Sequence, residues 1–123
     1  MATRGIRGAT TITIDEKEQV LSATKKLLTS ILEANPALRT EDIASALFTV
    51  TEDIVSAYPA LAARQMGWDQ VPMMCAREIP VPGGLPMCIR VLIHWNTDKE
   101  QSAVKHVYLR DAVKLRPDLT SKK

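Results

Sequence analysis

The sequence is poor in aromatic residues and in cysteine. Its 123 residues include one Phe, two Trp and two Tyr, so a folded core must be built mostly from aliphatic side chains. The two cysteines, Cys75 and Cys88, form no CxxC pair and belong to no cluster of His and Cys. This pattern argues against a disulfide framework and against a zinc site, and it favours a reducing cytoplasm.

Net charge and long apolar runs are equally limited. The formal net charge of +2 is too small to indicate a nucleic-acid partner by itself. No apolar run approaches the roughly 20 residues that a membrane-spanning helix needs, and the N-terminus lacks the apolar core of a secretory signal. The length fits a single domain over residues 1–123, within which we expect residues 116–123 to be a mobile tail.

The usual catalytic and nucleotide-binding motifs are absent as well. The sequence contains no GxSxG, no P-loop, no dinucleotide fingerprint and no HExxH. The two histidines, His94 and His106, do not have the spacing of a catalytic triad, and a lone His on a strand is more often structural. Hydrolysis and redox chemistry are therefore disfavoured, and we expect neither a metal nor a cofactor.

What the sequence does contain is a strand-like run over residues 87–97, with branched and aromatic residues and no Gly or Pro. Because successive side chains of a strand point to opposite faces, four residues should share one apolar face: Ile89, Val91, Ile93 and Trp95. Arg90 then lies on the other face, where burial is costly unless the guanidinium is paired. Two interpretations stay open: Arg90 reaches solvent or a nearby carboxylate, or it is a fixed cation for an anionic ligand.

A second arginine on a predicted strand is Arg7. Residues 6–14 alternate in the same way, and five residues share the face opposite to Arg7: Ile6, Gly8, Thr10, Ile12 and Ile14. The glycines on either side of Arg7 leave room for a close approach to the backbone. Taken alone, Arg7 is more simply explained as a surface residue near a free terminus.

The remaining pattern predicts one long helix, one short helix and three more extended segments. Asp15 and Glu18 have the spacing of a capping box, and an apolar stripe follows until Pro36. Pro59 is well placed to begin a short helix, which Gly67 ends. The extended segments cover residues 43–51, for which a short helix is an alternative, 71–79 and 105–109.

Cys75 and Glu78 have opposite parity in the segment 71–79, so a regular strand would point them to different faces. If both serve one site, a bulge or a strand end must lie between them. The groups available for chemistry are thus arginines on strands, one carboxylate, one tyrosine and one cysteine. This set suits the binding of a small anion that carries a hydroxyl.

Five separated blocks of sequence point to a family. They are residues 4–11 (RGIRGATT), 51–53 (TED) with 58–60 (YPA), 71–72 (VP) with Cys75 and Glu78, 83–86 (GGLP) with 88–91 (CIRV), and 106–109 (HVYL) with 115–119 (LRPDL). In this order the blocks resemble the AroH-class chorismate mutases, which are monofunctional and trimeric. Each block alone would be a weak signal, so the resemblance depends on their number and order.

The resemblance implies an α+β fold, in which a mixed β-sheet carries one long helix and one short helix in a ferredoxin-like subunit. It implies a homotrimer, a trimeric pseudo-α/β-barrel with active sites between neighbouring subunits. The implied activity is that of an isomerase converting chorismate to prephenate, the branch step toward phenylalanine and tyrosine. Neither nucleic acid nor membrane is an expected partner. A non-catalytic small-anion-binding trimer of the same fold is the alternative.

The resemblance also implies roles for single residues. Arg90 matches the position that contacts the ether oxygen of the breaking bond, and Glu78 and Cys75 match contacts to the ring hydroxyl region. Arg7 matches a position that binds a substrate carboxylate, with Tyr108 beside it. Arg90 and Glu78 are therefore the expected catalytic residues.

Six further positions are implied to bind the substrate: Tyr58, Arg64, Met73, Met74, Leu115 and Arg116. Among them, Arg64 and Arg116 match positions that draw in the substrate or close over it, and Tyr58 matches an aromatic wall residue. Leu61 stands where some relatives have a basic residue. We therefore expect weaker electrostatic attraction of the substrate in this chain.

Overall fold

The computed structural model describes residues 1–115, and the tail expected at residues 116–123 lies outside this range. The helices and strands within it are β1 (Ala2–Thr11), α1 (Lys17–Ala34), β2 (Ile43–Val50), α2 (Pro59–Gln65), β3 (Met73–Arg77), β4 (Cys88–Thr97) and β5 (Val107–Tyr108). Short 3-10 turns lie at Thr40–Asp42, Gln101–Ala103 and Arg110–Lys114. The segment 43–51 is thus a strand, as its β-branched residues predict.

The strands form one sheet in the order β3-β2-β4-β1-β5. β4 runs antiparallel to both neighbours, β1 and β2, whereas β3 is parallel to β2 and β5 is parallel to β1. β1, α1 and β2 therefore form a split β-α-β unit with β4 inserted in it, and α2 then joins β2 to β3. The predicted α+β class, one long and one short helix on a mixed sheet, is confirmed.

The alternation predicted for β4 is confirmed by its burial. The four residues of the apolar face are all buried: Ile89, Val91, Ile93 and Trp95. Arg90 lies on the other face, halfway between exposed and buried. Because β4 is hydrogen-bonded to a strand on each side, the backbone that carries Arg90 is held along both edges.

α1 packs its apolar stripe against the sheet beside Gly8. The stripe predicted from the periodicity has seven residues, of which Leu32 is only half-buried and the other six are buried: Val20, Leu21, Thr24, Leu27, Leu28 and Ile31. A Cβ atom at Gly8 would lie 2.7 Å from Ile31 Cδ1 and 3.1 Å from Val91 Cγ1. Gly8 therefore lets the helix approach β1 closely. The preceding residue, Arg7, lies on the opposite face of the strand.

The capping box predicted at Asp15 is wrong. The residue before α1 is Glu16, and no side chain caps the helix there. Asp15 instead accepts hydrogen bonds from the backbone N–H groups of Val55 and Ser56, at 3.0 and 3.2 Å. Its carboxylate therefore binds a segment distant in sequence, the one that leads into α2.

The predicted end of the first strand is also wrong. β1 stops at Thr11, which pairs with Cys88, the first residue of β4. Beyond this point β1 has no partner in β4, and Ile14 is 55% exposed instead of buried.

Within residues 1–115, no helix combines the length and the hydropathy that crossing a bilayer requires.

Candidate active site

Arg90 is held in the middle of the sheet by its neighbours on both sides. It pairs with Ala9 of β1 and with Thr49 of β2. Its side chain is 43% exposed, yet the Nε atom is buried and has no hydrogen-bond acceptor among residues 1–115. A buried N–H group without an acceptor is costly, so this one is available to an oxygen atom of a ligand.

Glu78 lies beside Arg90 because β3 ends one residue earlier, at Arg77. Its N–H donates to the Val50 carbonyl at 2.9 Å, and its carboxylate accepts a hydrogen bond from the Thr49 hydroxyl. Oε2 of Glu78 lies 3.7 Å from Nε of Arg90, an ion pair that is too long for a hydrogen bond. Arg90 thus has a carboxylate neighbour, as one interpretation proposed, and its Nε–H still lacks an acceptor.

A cavity of about 510 Å³ brings five of the predicted site residues together. They are Arg7, Glu78, Arg90, Tyr108 and Leu115, which line it with residues of β2 and β4. In this cavity, which we call the arginine cavity, residues 1–115 place two arginines against one carboxylate. Its charge balance therefore favours an anion.

The backbone at Arg7 is fixed by a histidine. The Arg7 N–H donates to Nδ1 of His106 at 2.9 Å, and burial lowers the pKa of the His106 imidazole. An Nδ1 atom that accepts a hydrogen bond carries no proton, so His106 is neutral with its proton on Nε2. The structural role predicted for this histidine agrees with that contact.

Tyr58 and Cys75 line a different cavity, of about 500 Å³, together with Leu61 and Arg77. We call it the tyrosine cavity. The strand end predicted between Cys75 and Glu78 exists, but within one chain it separates the two residues into different cavities. The sequence could not reveal this separation, because parity alone does not say which cleft each face borders.

Of the other four predicted residues, three line neither cavity and one lies outside the described range. Met73 packs against the core, whereas Met74 is 71% exposed on the opposite face of β3. Arg64 is exposed on α2. Arg116 lies outside the described residues.

Three features of the structure were not predicted as parts of a site. Thr49 orients the Glu78 carboxylate, and only its register opposite Arg90 could have pointed to it. Cys88 is fully buried near Arg90, and burial raises the pKa of its thiol, so it is not a nucleophile at neutral pH. A cavity of about 660 Å³ beside α1 is lined by none of the predicted residues that lie within 1–115.

The donor set of the arginine cavity does not resemble a metal site. It contains one carboxylate, and no group of three or more His, Cys, Asp or Glu within residues 1–115 could hold a metal ion. The arrangement can bind an anionic molecule and place a fixed positive charge against one of its oxygen atoms. It contains no hydroxyl–histidine pair for nucleophilic attack.

The chain was compared with known proteins. Residues 3–119 match the family described as chorismate mutase type I. Chorismate mutase AroH of Thermus thermophilus is 58% identical over 118 residues, 96% of this chain and 97% of that protein. Chorismate mutase AroH of Bacillus subtilis (strain 168) is 46% identical over 121 residues, 98% of this chain and 94% of that protein.

The fold comparison agrees with the sequence comparison. The solved structure of chorismate mutase from Clostridium thermocellum matches with a TM-score of 0.85 at 49% identity, covering 88% of this chain and 96% of that one. The predicted resemblance is therefore confirmed, and the chain belongs to the type I, AroH-class chorismate mutase family.

Proposed function

We propose that this chorismate mutase rearranges chorismate to prephenate in clefts between the subunits of a homotrimer, with Arg90 stabilising the transition state. The observation that carries the proposal is the arginine cavity, where Arg7, Glu78, Arg90 and Tyr108 meet. We expect the enzyme to act in the cytoplasm, at the branch step toward phenylalanine and tyrosine.

The reaction requires little from the protein in the way of chemistry. Chorismate is a dianion, and its rearrangement is unimolecular: one C–O bond breaks while one C–C bond forms. No nucleophile, metal or proton transfer takes part. An enzyme can accelerate such a step by holding the compact conformer in which the reacting carbons meet, and by stabilising negative charge that grows on the ether oxygen.

Arg90 is suited to the second task. Its Nε–H is buried without an acceptor among residues 1–115, and its backbone is held between two strands. A charge fixed in this way does not reorganise when the ether oxygen becomes negative. We assign Arg90 to the transition state for this reason.

Arg7 is suited to binding. It is exposed at the rim of the arginine cavity, where a guanidinium can hold a carboxylate through two parallel hydrogen bonds. Tyr108 lies on the adjacent strand β5, where it pairs with Ala9 of β1. Both residues are proposed to hold a carboxylate of chorismate, which affects the bound substrate and the transition state alike.

Glu78 is proposed to accept a hydrogen bond from the ring hydroxyl and to complement positive charge on the ring. The Thr49 hydroxyl occupies Oε2 of its carboxylate, which leaves Oε1 for the substrate. The carboxylate also keeps the guanidinium of Arg90 in the cavity through their ion pair. Leu115 supplies an apolar contact at the same cavity.

The tyrosine cavity is proposed to complete the site from a neighbouring subunit. Tyr58 and Cys75 line it, and Met73, Met74, Arg64 and Arg116 are proposed to act with them. The face of the sheet that carries Arg90 supports this assembly. Met74, Leu47 and Leu92 form one row across β3, β2 and β4 in the strand register, and apolar residues in a row on an open face favour a protein contact.

The decisive experiment replaces Arg90 by citrulline, which keeps the shape of the side chain and removes its charge. Loss of chorismate absorbance gives kcat and KM. We expect kcat to fall by about a hundredfold or more, by analogy with a lost oxyanion donor. Replacing Arg7 by citrulline should mainly raise KM. If kcat of the Arg90 variant stays within a few-fold of wild type and only KM rises, the assignment of Arg90 is wrong.

The same assay tests the alternative function. A non-catalytic anion-binding trimer would bind chorismate without consuming it. Membership of the chorismate mutase family and the buried Nε–H of Arg90 both favour the enzyme.

A further inference from the structure

We infer that Asp53 is a positioning residue for Arg90: its carboxylate fixes the backbone just before β4 and thereby the strand that carries the guanidinium. The inference rests on the proposed role of Arg90. Asp53 does not line the arginine cavity, so it acts through the backbone and not on the substrate.

The first observation is an unusual backbone conformation held by a charge. Met87, which immediately precedes β4, has a φ of 51°, in the left-handed region that disfavours residues with a Cβ atom. Its N–H group donates to both carboxylate oxygens of Asp53, at 3.0 and 3.2 Å. Hydrogen bonds to an ionised acceptor are stronger than neutral ones, so the carboxylate can hold a conformation that the chain would otherwise leave.

The second observation is that the same carboxylate joins a set of contacts around the first residue of β4. The Thr51 hydroxyl donates to Oδ1 of Asp53 at 2.5 Å and accepts from the Cys88 N–H at 3.0 Å. The Thr51 N–H donates to the Cys88 carbonyl at 3.1 Å. Asp53 therefore orients the hydroxyl that receives Cys88, two residues before Arg90.

The other edge of the same backbone is held by the residue that follows β1. The Met87 carbonyl accepts from the N–H of Ile12 at 2.9 Å. Met87 is thus fixed through its carbonyl on one side and through Asp53 on the other. Within the described part of the chain, Asp53 is the only acceptor for the Met87 N–H. This contact sets the direction in which the chain enters β4.

The carboxylate of Asp53 contacts the junction between a loop and β4. Residues 80–86 are rich in Pro and Gly, and the apolar side chains at Ile79 and Val81 are 82% and 63% exposed. Loops of this kind are more mobile than the strands they join. The hydrogen bonds from the Met87 N–H to Asp53 lie between this loop and β4. We therefore expect motion of the loop not to reach Arg90.

Asp53 contributes little to the core. It is exposed, and the adjacent apolar cluster of Ile12, Val20, Ile54 and Ile89 packs without it. Removing its carboxylate should therefore leave the fold intact and change the geometry at Arg90. A displacement of about 1 Å at a reacting group can cost about a hundredfold in rate.

The experiment compares Asp53→Ala, Asp53→Asn and the exposed neighbour Glu52→Ala in the full-length enzyme, with kcat, KM and thermal unfolding measured for each. We expect Asp53→Ala to lower kcat between about tenfold and a hundredfold with little change in KM or in Tm. Asp53→Asn should recover most of kcat, because its amide oxygen still accepts from Met87. Glu52→Ala should match wild type.

A double variant separates positioning from a general loss of stability. Gly adopts the left-handed region without a steric cost, so Met87→Gly should make the Asp53 carboxylate less necessary. We expect Asp53→Ala to lower kcat less in the Met87→Gly background than in wild type, since the two positions interact directly. The same fold-loss in both backgrounds, or a lower Tm with unchanged kcat, would overturn the inference.

The outcomes also distinguish this inference from the proposed function. If citrulline at position 90 leaves kcat unchanged, the role of Arg90 itself is wrong and the inference loses its basis. If citrulline at position 90 abolishes turnover while Asp53→Ala keeps the kcat of wild type, only the role of Asp53 is wrong.

Discussion

The two cavities have almost the same volume, about 510 and 500 Å³, but they are built on different kinds of structure. The arginine cavity is formed mainly by β1, β2 and β4, whose backbones are paired within the sheet. The tyrosine cavity is formed by the edge strand β3, the seven-residue helix α2 and the segment before it. Arg90, which is proposed to act on the transition state, therefore lies on a strand that is paired on both sides.

This difference has a physical reason. A charge that stabilises a transition state is most effective when it does not move during the reaction, and central strands supply such a fixed frame. Residues that surround a substrate must admit it and release the product, which loops and short helices allow. These two demands would explain the roles that we propose for the two cavities.

The largest effect is expected when the two cavities are disabled on separate subunits. Arg90→Ala removes the charge from one cavity, and Cys75→Asp adds a carboxylate to the other, where it repels a dianion. Each variant alone should be almost inactive. If each site combines the two cavities from neighbouring subunits, trimers assembled at random from equal amounts of both variants have native sites in roughly a quarter of all clefts, homotrimers included. Coexpression should therefore restore about a quarter of wild-type kcat per subunit.

The control for this experiment places both changes in the same cavity. Arg90→Ala and Glu78→Ala should not complement one another, because every cleft then carries a defect. Two different affinity tags identify the mixed oligomers before the assay. Verified mixed oligomers of the first pair that remain inactive would mean that the two cavities do not combine between subunits.

Of the residues that line the arginine cavity, those on β1 and β4 are also the ones that the sequence pattern predicts best. Arg90 could be placed because its strand alternates strictly, and the burial of Ile89, Val91 and Ile93 confirms the pattern. Arg7 follows from a period of two in the sequence, but the burial of β1 follows that period only from Ile6 to Gly8, because Ala9 and Thr11 are buried as well. A strand with one apolar face leaves little choice of register, so local sequence is sufficient to place Arg90.

The contacts that join distant segments could not be predicted in this way. Asp15 has the spacing of a helix cap, but it bonds to Val55 and Ser56, some 40 residues away. The contact of Thr49 with Glu78 depends on which strand ends beside which. Local propensity gives no information on these choices, because several acceptors are available to a short polar side chain.

A moderate effect is expected from a charge placed in the tyrosine cavity. Leu61 lines this cavity together with Lys17 and Arg77. Leu61→Lys should lower KM by about two- to fivefold at low ionic strength, because an added cation attracts the dianionic substrate. The gain should disappear near 1 M salt, where screening acts over about 3 Å. Leu61→Met is the neutral control. If the KM of Leu61→Lys stays below that of wild type at high salt, electrostatic attraction at a distance is not the cause.

The smallest effect is expected at Asp15, which holds the segment before Tyr58 through hydrogen bonds. The Ser56 hydroxyl and the Val55 N–H lower the pKa of Asp15 below its ordinary value of 3.8. A carboxyl whose pKa is lower in the folded state stabilises the fold above the unfolded pKa, and this stabilisation is lost as the pH falls through the folded pKa. Asp15→Asn keeps one acceptor oxygen and removes the charge. We expect it to lower Tm by roughly 1–4 °C at neutral pH.

The pH dependence of that difference is the sharper measurement. Thermal unfolding of wild type and Asp15→Asn at one protein concentration should give Tm values that converge as the pH falls below 3.8. Asp69→Asn, a change at an exposed carboxylate, should show no such convergence. A constant Tm difference at all pH values would mean that Asp15 acts through its shape and not its charge. In that case the hydrogen bonds to Asp15, and not its charge, would hold the segment that lines the tyrosine cavity.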